Sequence, residues 1–168
     1  SGVNINNAFV FGSNGATIHT TNAVLLTGAT SGNGSFTKTG DGLLTLQTNG
    51  SATGATIIAA GTLVAASNYS INNGGPVTVT AGAILRLTAD ETVDDLSGAG
   101  TIELPQAWLT INQSQALTFT GTITGAGRLI KQGSGLLTLS GTNSYTGGTI
   151  LTNGGLTLTG GNALADEG

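Results

Sequence analysis

The run Leu129-Ile130-Lys131-Gln132-Gly133-Ser134-Gly135-Leu136-Leu137-Thr138-Leu139-Ser140-Gly141 decides the fold, because it occurs twice. A shift back by 93 residues lays Lys131, Gly133, Gly135, Leu136, Leu137, Thr138 and Leu139 onto Lys38, Gly40, Gly42, Leu43, Leu44, Thr45 and Leu46. The match continues without a gap: Ser144, Thr146, Gly147, Thr149, Ile150, Gly154 and Leu156 fall on Ser51, Thr53, Gly54, Thr56, Ile57, Gly61 and Leu63. A repeat held in register over nearly forty residues is a statement about architecture, and it constrains every single-residue reading that follows. It divides one domain, 1–168, into copies at about 34–71 and 127–164 with less regular turns at about 72–126. Pro76 and Pro105 flank that middle third.

Around this repeat the sequence is punctuated like a chain of short strands. Alternating runs such as Ala16-Thr17-Ile18-His19, Thr62-Leu63-Val64-Ala65, Ile84-Leu85-Arg86-Leu87 and Leu109-Thr110-Ile111 are each bounded by Gly, Asn or Ser, and no window sustains a helical period. A corner signature recurs as Ser31-Gly32-Asn33-Gly34, Ser97-Gly98-Ala99-Gly100 and Thr124-Gly125-Ala126-Gly127, so that its starts fall at Ser31, Ser97 and Thr124. Read as about three turns of roughly 22 residues and then one turn with an insertion, these spacings predict an all-β solenoid, a parallel β-helix of roughly seven turns. Alternation then sends Leu44, Leu46, Leu137 and Leu139 inward and leaves Thr45 and Thr138 outside. Threonine suits that outer row, since its branched side chain favours an extended backbone and its hydroxyl reaches the next strand.

Composition agrees and excludes several partner classes. The chain is 38% hydrophobic but only 7% charged and 4% aromatic, with 29 glycines and no cysteine or methionine. Four cations against eight acids leave no basic stripe for a run of phosphates, so nucleic acid is not an expected partner. No apolar run approaches the roughly 18 to 20 residues that span a bilayer, so no spanning helix is expected. Without cysteine there is neither a disulfide framework nor a cysteine-ligated zinc site. The chain opens without Met or a charged signal-peptide region, which reads as a mature product or an excised fragment.

At this point the residues carry a family resemblance. The string Gly127 to Thr149 resembles the autotransporter-associated β-strand repeat in passenger domains of Gram-negative type V secretion proteins, and Thr92 to Leu104 is similar to the run that often precedes such repeats. The first copy departs from the second at Ala52, which stands where the second has Tyr145. The resemblance implies a right-handed, single-stranded parallel β-helix, exported across the outer membrane of a Gram-negative bacterium and held at the cell surface or released. It implies further that folding of the repeats outside the cell assists export. The family's C-terminal membrane barrel is not in this sequence, so the expectation is a passenger fragment.

No candidate site outweighs a structural reading. His19, the single histidine, is expected outward on a strand, with no second histidine to complete a metal site. The acidic stretch Asp90 to Asp95 lacks the spacing of a calcium loop and reads as solvated, and nothing pairs two acids across a sugar as glycoside hydrolysis requires. Asp41 exchanges with Ser134 between the copies, so both are turn formers, while Lys38 and Lys131 recur and share a structural role. Ser134 is not in a nucleophile elbow, and neither Gly-Ala-Gly run has the third glycine of a dinucleotide site. Trp108 and Tyr69 are expected to pack near a corner or under a loop rather than to serve as sugar platforms. The expected sites are therefore catalytic: none, cofactor: none and metal: none. The function expected is a non-enzymatic stalk with an adhesion and self-association surface, its partners being itself or a surface glycan or protein. An extracellular filament subunit assembled end to end, and a polysaccharide-acting β-helix enzyme, are the alternatives.

Overall fold

The computed structural model describes residues 2–71 and 74–159. Its elements are strands of two to five residues, and every pairing among them is parallel. Each circuit of the chain visits three faces. The first face stacks eight strands from Val3–Ile5 through Leu43–Leu46 to Ser144–Tyr145, and the third stacks eight from Ala16–His19 through Val77–Val79 to Gly155–Leu158. Between them in chain order lies a second face, split into a pair, Phe9–Phe11 with Thr30–Gly32, and a set of four: Glu91–Val93, Trp108–Asn112, Arg128–Gln132 and Thr149–Leu151. This is a β-solenoid, consistent with the right-handed winding that the resemblance implies.

Alternation fills the interior as expected. Leu44, Leu46, Leu137 and Leu139 are buried, whereas Thr45 and Thr138 stay partly exposed on the outer rows. Apolar columns stack coil upon coil, as in Val24, Leu44, Leu63, Leu85, Ile102 and Ile123 on the first face. Such columns, spaced by about 4.8 Å, leave few voids, and this packing is the main source of stability in a chain with so few charges. Phe11 and Phe36 stack inside it with centroids 5.1 Å apart.

The coil is shorter than the sequence suggested, and there are about eight of them rather than seven. Val3 and Ile123 stand in one column six steps apart, so a coil takes on average about a tenth less chain than the sequence spacing implied. The middle of the chain departs most from that mean. In this column the step from Leu63 to Leu85 is the longest and the step from Leu85 to Ile102 the shortest.

The miscount has a physical cause: the recurring motifs do not repeat on the same face. The three corner signatures lie on the second, third and first faces in turn, so Ser31 to Ser97 is three coils plus one face and Ser97 to Thr124 is one coil plus one face. The long repeat behaves alike. Phe36–Thr39 and Leu43–Leu46 occupy the third and first faces, but Arg128–Gln132 and Leu136–Leu139 occupy the second and third. The offset between the two copies is thus five coils less one face.

Corner geometry explains why a motif tolerates this rotation. Gly32, Gly98 and Gly125 all have φ between 104° and 115°, and a Cβ on any of them would stand 2.0 to 2.2 Å from the carbonyl oxygen of Phe11, Val79 or Leu104 one coil earlier. The second glycine of each corner, Gly34, Gly100 or Gly127, donates its N–H to that same oxygen. Only glycine accepts both the left-handed backbone and the approach. What the sequence repeats is a corner between two faces, and any of the three corners accepts it.

Candidate functional site

The most constrained polar chemistry lies inside two of these corners. Lys38 and Lys131 are fully buried, each on a strand whose alternation turns it inward. The Lys38 ammonium donates to the carbonyls of Thr39, Gly40 and Ala60 at 3.1, 2.6 and 2.9 Å. Lys131 does the same with Gln132, Gly133 and Asn153 at 2.5, 3.0 and 3.3 Å. Three donors meet three acceptors, two in the lysine's own corner and one in the next coil's. Burial pushes both ammonium groups below the usual lysine pKa, and Asp41 offsets this at Lys38. The shared structural role expected from the repeat is therefore a corner clamp, and a surface reading of these lysines would miss it.

The acidic stretch keeps Asp90 exposed and Asp94 and Asp95 partly so, but each is hydrogen-bonded and Glu91 is buried. Asp90 accepts from the Trp108 N–H at 2.8 Å, Asp94 from the Asn112 amide at 3.2 Å, and Asp95 from the Ser114 N–H and hydroxyl at 2.7 and 2.9 Å. All three serve the following coil. Glu91 turns inward instead, because it opens a strand whose pattern is buried, partly exposed, buried. Its Oε1 accepts from the N–H and Oγ of Ser70 at 2.8 and 2.7 Å. That contact bridges the break in the second face, where Tyr69, the one non-glycine residue with positive φ among those described, turns the chain. A carboxylate here does the pairing that a strand does elsewhere. Burial raises the Glu91 pKa to about 7 against the Ser70 hydrogen bonds, and Oε2 has no hydrogen-bond partner.

The remaining candidates are dispersed. His19 is exposed on its strand, its Nδ1 3.1 Å from the Thr39 hydroxyl, and Asp41 and Ser134 sit in turns. Among the described residues no group of three or more histidines and acids stands close enough to hold a metal ion. Among them, too, no helix is long and apolar enough to cross a membrane. A hollow of about 320 Å³ on the outer first face is lined by residues such as Val3, Ala23, Leu25 and Leu43, none of them ionisable.

The aromatic residues depart from expectation. Trp108 does not pack under a loop: it stands outward on Trp108–Asn112, 47% exposed, with the Arg128 guanidinium over its ring, 5.4 Å from the centroid. Tyr69 is at a corner but 46% exposed. Tyr145 is buried, its hydroxyl 2.5 Å from that of Thr149, and the smaller Ala52 occupies the matching place in the first copy, also buried.

Comparison with known proteins locates the same two units. The passenger-associated-transport-repeat matches residues 36–65 and 129–158, copies at the offset already read from the sequence. The chain is 40% identical over 156 residues to the adhesin BmaC autotransporter of Brucella suis biovar 1, an alignment covering 86% of this chain and 4% of that protein. The chain thus spans a small fraction of the length of that relative. No solved structure matches it.

Proposed function

Starting from a chain that is an autotransporter passenger segment with two passenger-associated transport repeats, we propose that it serves as an adhesin-like module, displayed at the surface of a Gram-negative bacterium or released from it. The observation that carries this reading is the continuity of two outer faces, each eight strands deep, over about eight coils. A shaft of stacked coils presents the same outward positions again and again, and such a surface suits multivalent contact rather than turnover. Supporting it, the charged groups buried in the interior, Lys38, Lys131 and Glu91, bond to the solenoid's own corners. The relative's name, an adhesin, points the same way. We read the module as non-enzymatic, as a spacer for whatever the parent chain carries, and as a surface able to contact a second copy.

Beads coated with the chain and allowed to settle on epithelial cells test the adhesive reading. Retention well above that of albumin-coated beads is expected, and retention equal to albumin would overturn it. Sedimentation over a concentration series reports the contact between copies. A strictly monomeric chain at high concentration would remove self-association and leave adhesion to other surfaces standing.

A further inference from the structure

On the four-stranded part of the second face the outward residues fall into rows across the coils. Strand pairing aligns Trp108 with Arg128 in one row and Asn112 with Gln132 in another, and hydrogen bonds set Asp90 beside Trp108 and Asp94 beside Asn112. Trp108 is held from both sides: Asp90 of the preceding coil accepts its backbone N–H, and Arg128 of the following coil lies over the ring while its Nε donates to the Gly147 carbonyl at 2.8 Å. In the second row Asn112 donates to Asp94, which fixes the plane of its amide. Four residues of extended chain separate Trp108 from Asn112, about 13 Å.

We propose that this surface binds a neutral glycan, with Trp108 as the stacking platform and the Asp94, Asn112 and Gln132 row as the hydroxyl-reading edge. A pyranose ring offers a C–H face to an indole, and its hydroxyls project sideways in donor and acceptor pairs that planar amides and carboxylates match. The separation of the rows accommodates two to three sugar units laid along a strand. The charge composition selects the occupant. Two carboxylates against one guanidinium disfavour nucleic acid and polyuronates alike. A protein partner prefers an aromatic anchor within a patch depleted of charge, whereas this indole has Asp90 on one side and Arg128 on the other. The proposal names a partner class for the adhesive reading and rests on it.

Trp108 is the chain's single tryptophan, so its fluorescence reports on the site alone. The test titrates the chain with soluble mannan, β-glucan and galactan, and with polygalacturonate as the anionic control, following fluorescence and retardation in affinity gels. At least one neutral polymer should give a saturable fluorescence change. Trp108→Ala should weaken retardation by tenfold or more, Asn112→Ala and Gln132→Ala by a few fold, and Trp108→Phe should retain part of the binding. Unchanged binding in Trp108→Ala, a preference for polygalacturonate, or no response to any polymer would overturn the proposal. Beads separate it from the reading it rests on. If Trp108→Ala beads adhere like wild type, adhesion stands and the glycan face falls; if wild-type beads fail to adhere while the polymer still binds, the glycan face stands and adhesion falls.

Discussion

The ammonium of Lys38 donates to the carbonyl of Ala60 at 2.9 Å, tying one corner of the solenoid to the corresponding corner of the next coil. The second repeat builds the same link from Lys131 to Asn153 on a different pair of faces. A buried cation is costly unless its donors are satisfied, and here the backbone satisfies them. Lys38→Met keeps most of the volume but takes the ammonium donor from the Gly40 and Ala60 carbonyl oxygens, at about 1 to 3 kcal/mol for each group left unsatisfied, while the Thr39 carbonyl keeps the Thr20 N–H. Partial relaxation brings the expected loss to roughly 3 kcal/mol or more, read as a lower midpoint in urea, with Lys131→Met behaving alike. Asp41→Ser, which installs the second copy's residue, should change stability by less than about 1 kcal/mol.

The equivalence of the three corners makes a separate prediction. Gly32→Ala, Gly98→Ala and Gly125→Ala each place a Cβ about 2 Å from a carbonyl oxygen at positive φ, although they lie on three different faces. All three should be destabilised to a similar extent, by roughly 3 kcal/mol or more. Gly12→Ala is the control, since its Cβ meets nothing within 4 Å and its φ is not in the left-handed range. Thermal unfolding of the four variants checks this; a single sensitive face with two tolerant ones would break the equivalence.

The inward and outward rows are tested by charge. Leu44→Asp and Leu137→Asp bury an unpaired carboxylate in fully covered columns and should leave little folded protein. Thr138→Ser removes one methyl from a partly exposed position and should shift stability by less than about 1 kcal/mol. Circular dichroism of the purified variants separates these outcomes directly.

Much of this was legible in the chain because alternation is a local signal: the leucines of Leu43–Leu46 and Leu136–Leu139 announce their side of the strand without reference to the rest of the fold. Face assignment was not legible. It depends on accumulated coil length, and the longest and shortest steps of the first-face column lie side by side around Leu85. Identical corners on rotated faces then turn thirds of a coil into apparent whole turns. The clamping role of Lys38 and Lys131 was half visible, since recurrence flagged a structural part but residue type suggested a surface. Glu91 was hidden among Asp90, Asp94 and Asp95, whose charge suggested solvent. The signal that separates it is phase, because Glu91 shares its parity with buried Val93 and the aspartates at 90 and 94 do not.

Glu91 gives the pH dependence. Its carboxyl moves from an ordinary value of 4.5 to about 7 on folding, because burial disfavours the ionised form more than the Ser70 hydrogen bonds favour it. Between those two values the folded chain holds the proton more tightly than the unfolded chain. The contribution of Glu91 is therefore fully present below pH 4.5, falls as pH rises toward 7, and is lost above it. Two and a half pH units correspond to roughly 3 kcal/mol at most. Glu91→Gln keeps an acceptor for Ser70 and has no proton to lose, so its stability relative to wild type should rise by about that amount between pH 4.5 and pH 8. Urea titrations of both chains at the two pH values give the difference with every other ionisable group cancelled. A constant gap between the two curves would show that Glu91 does not change its protonation across this range.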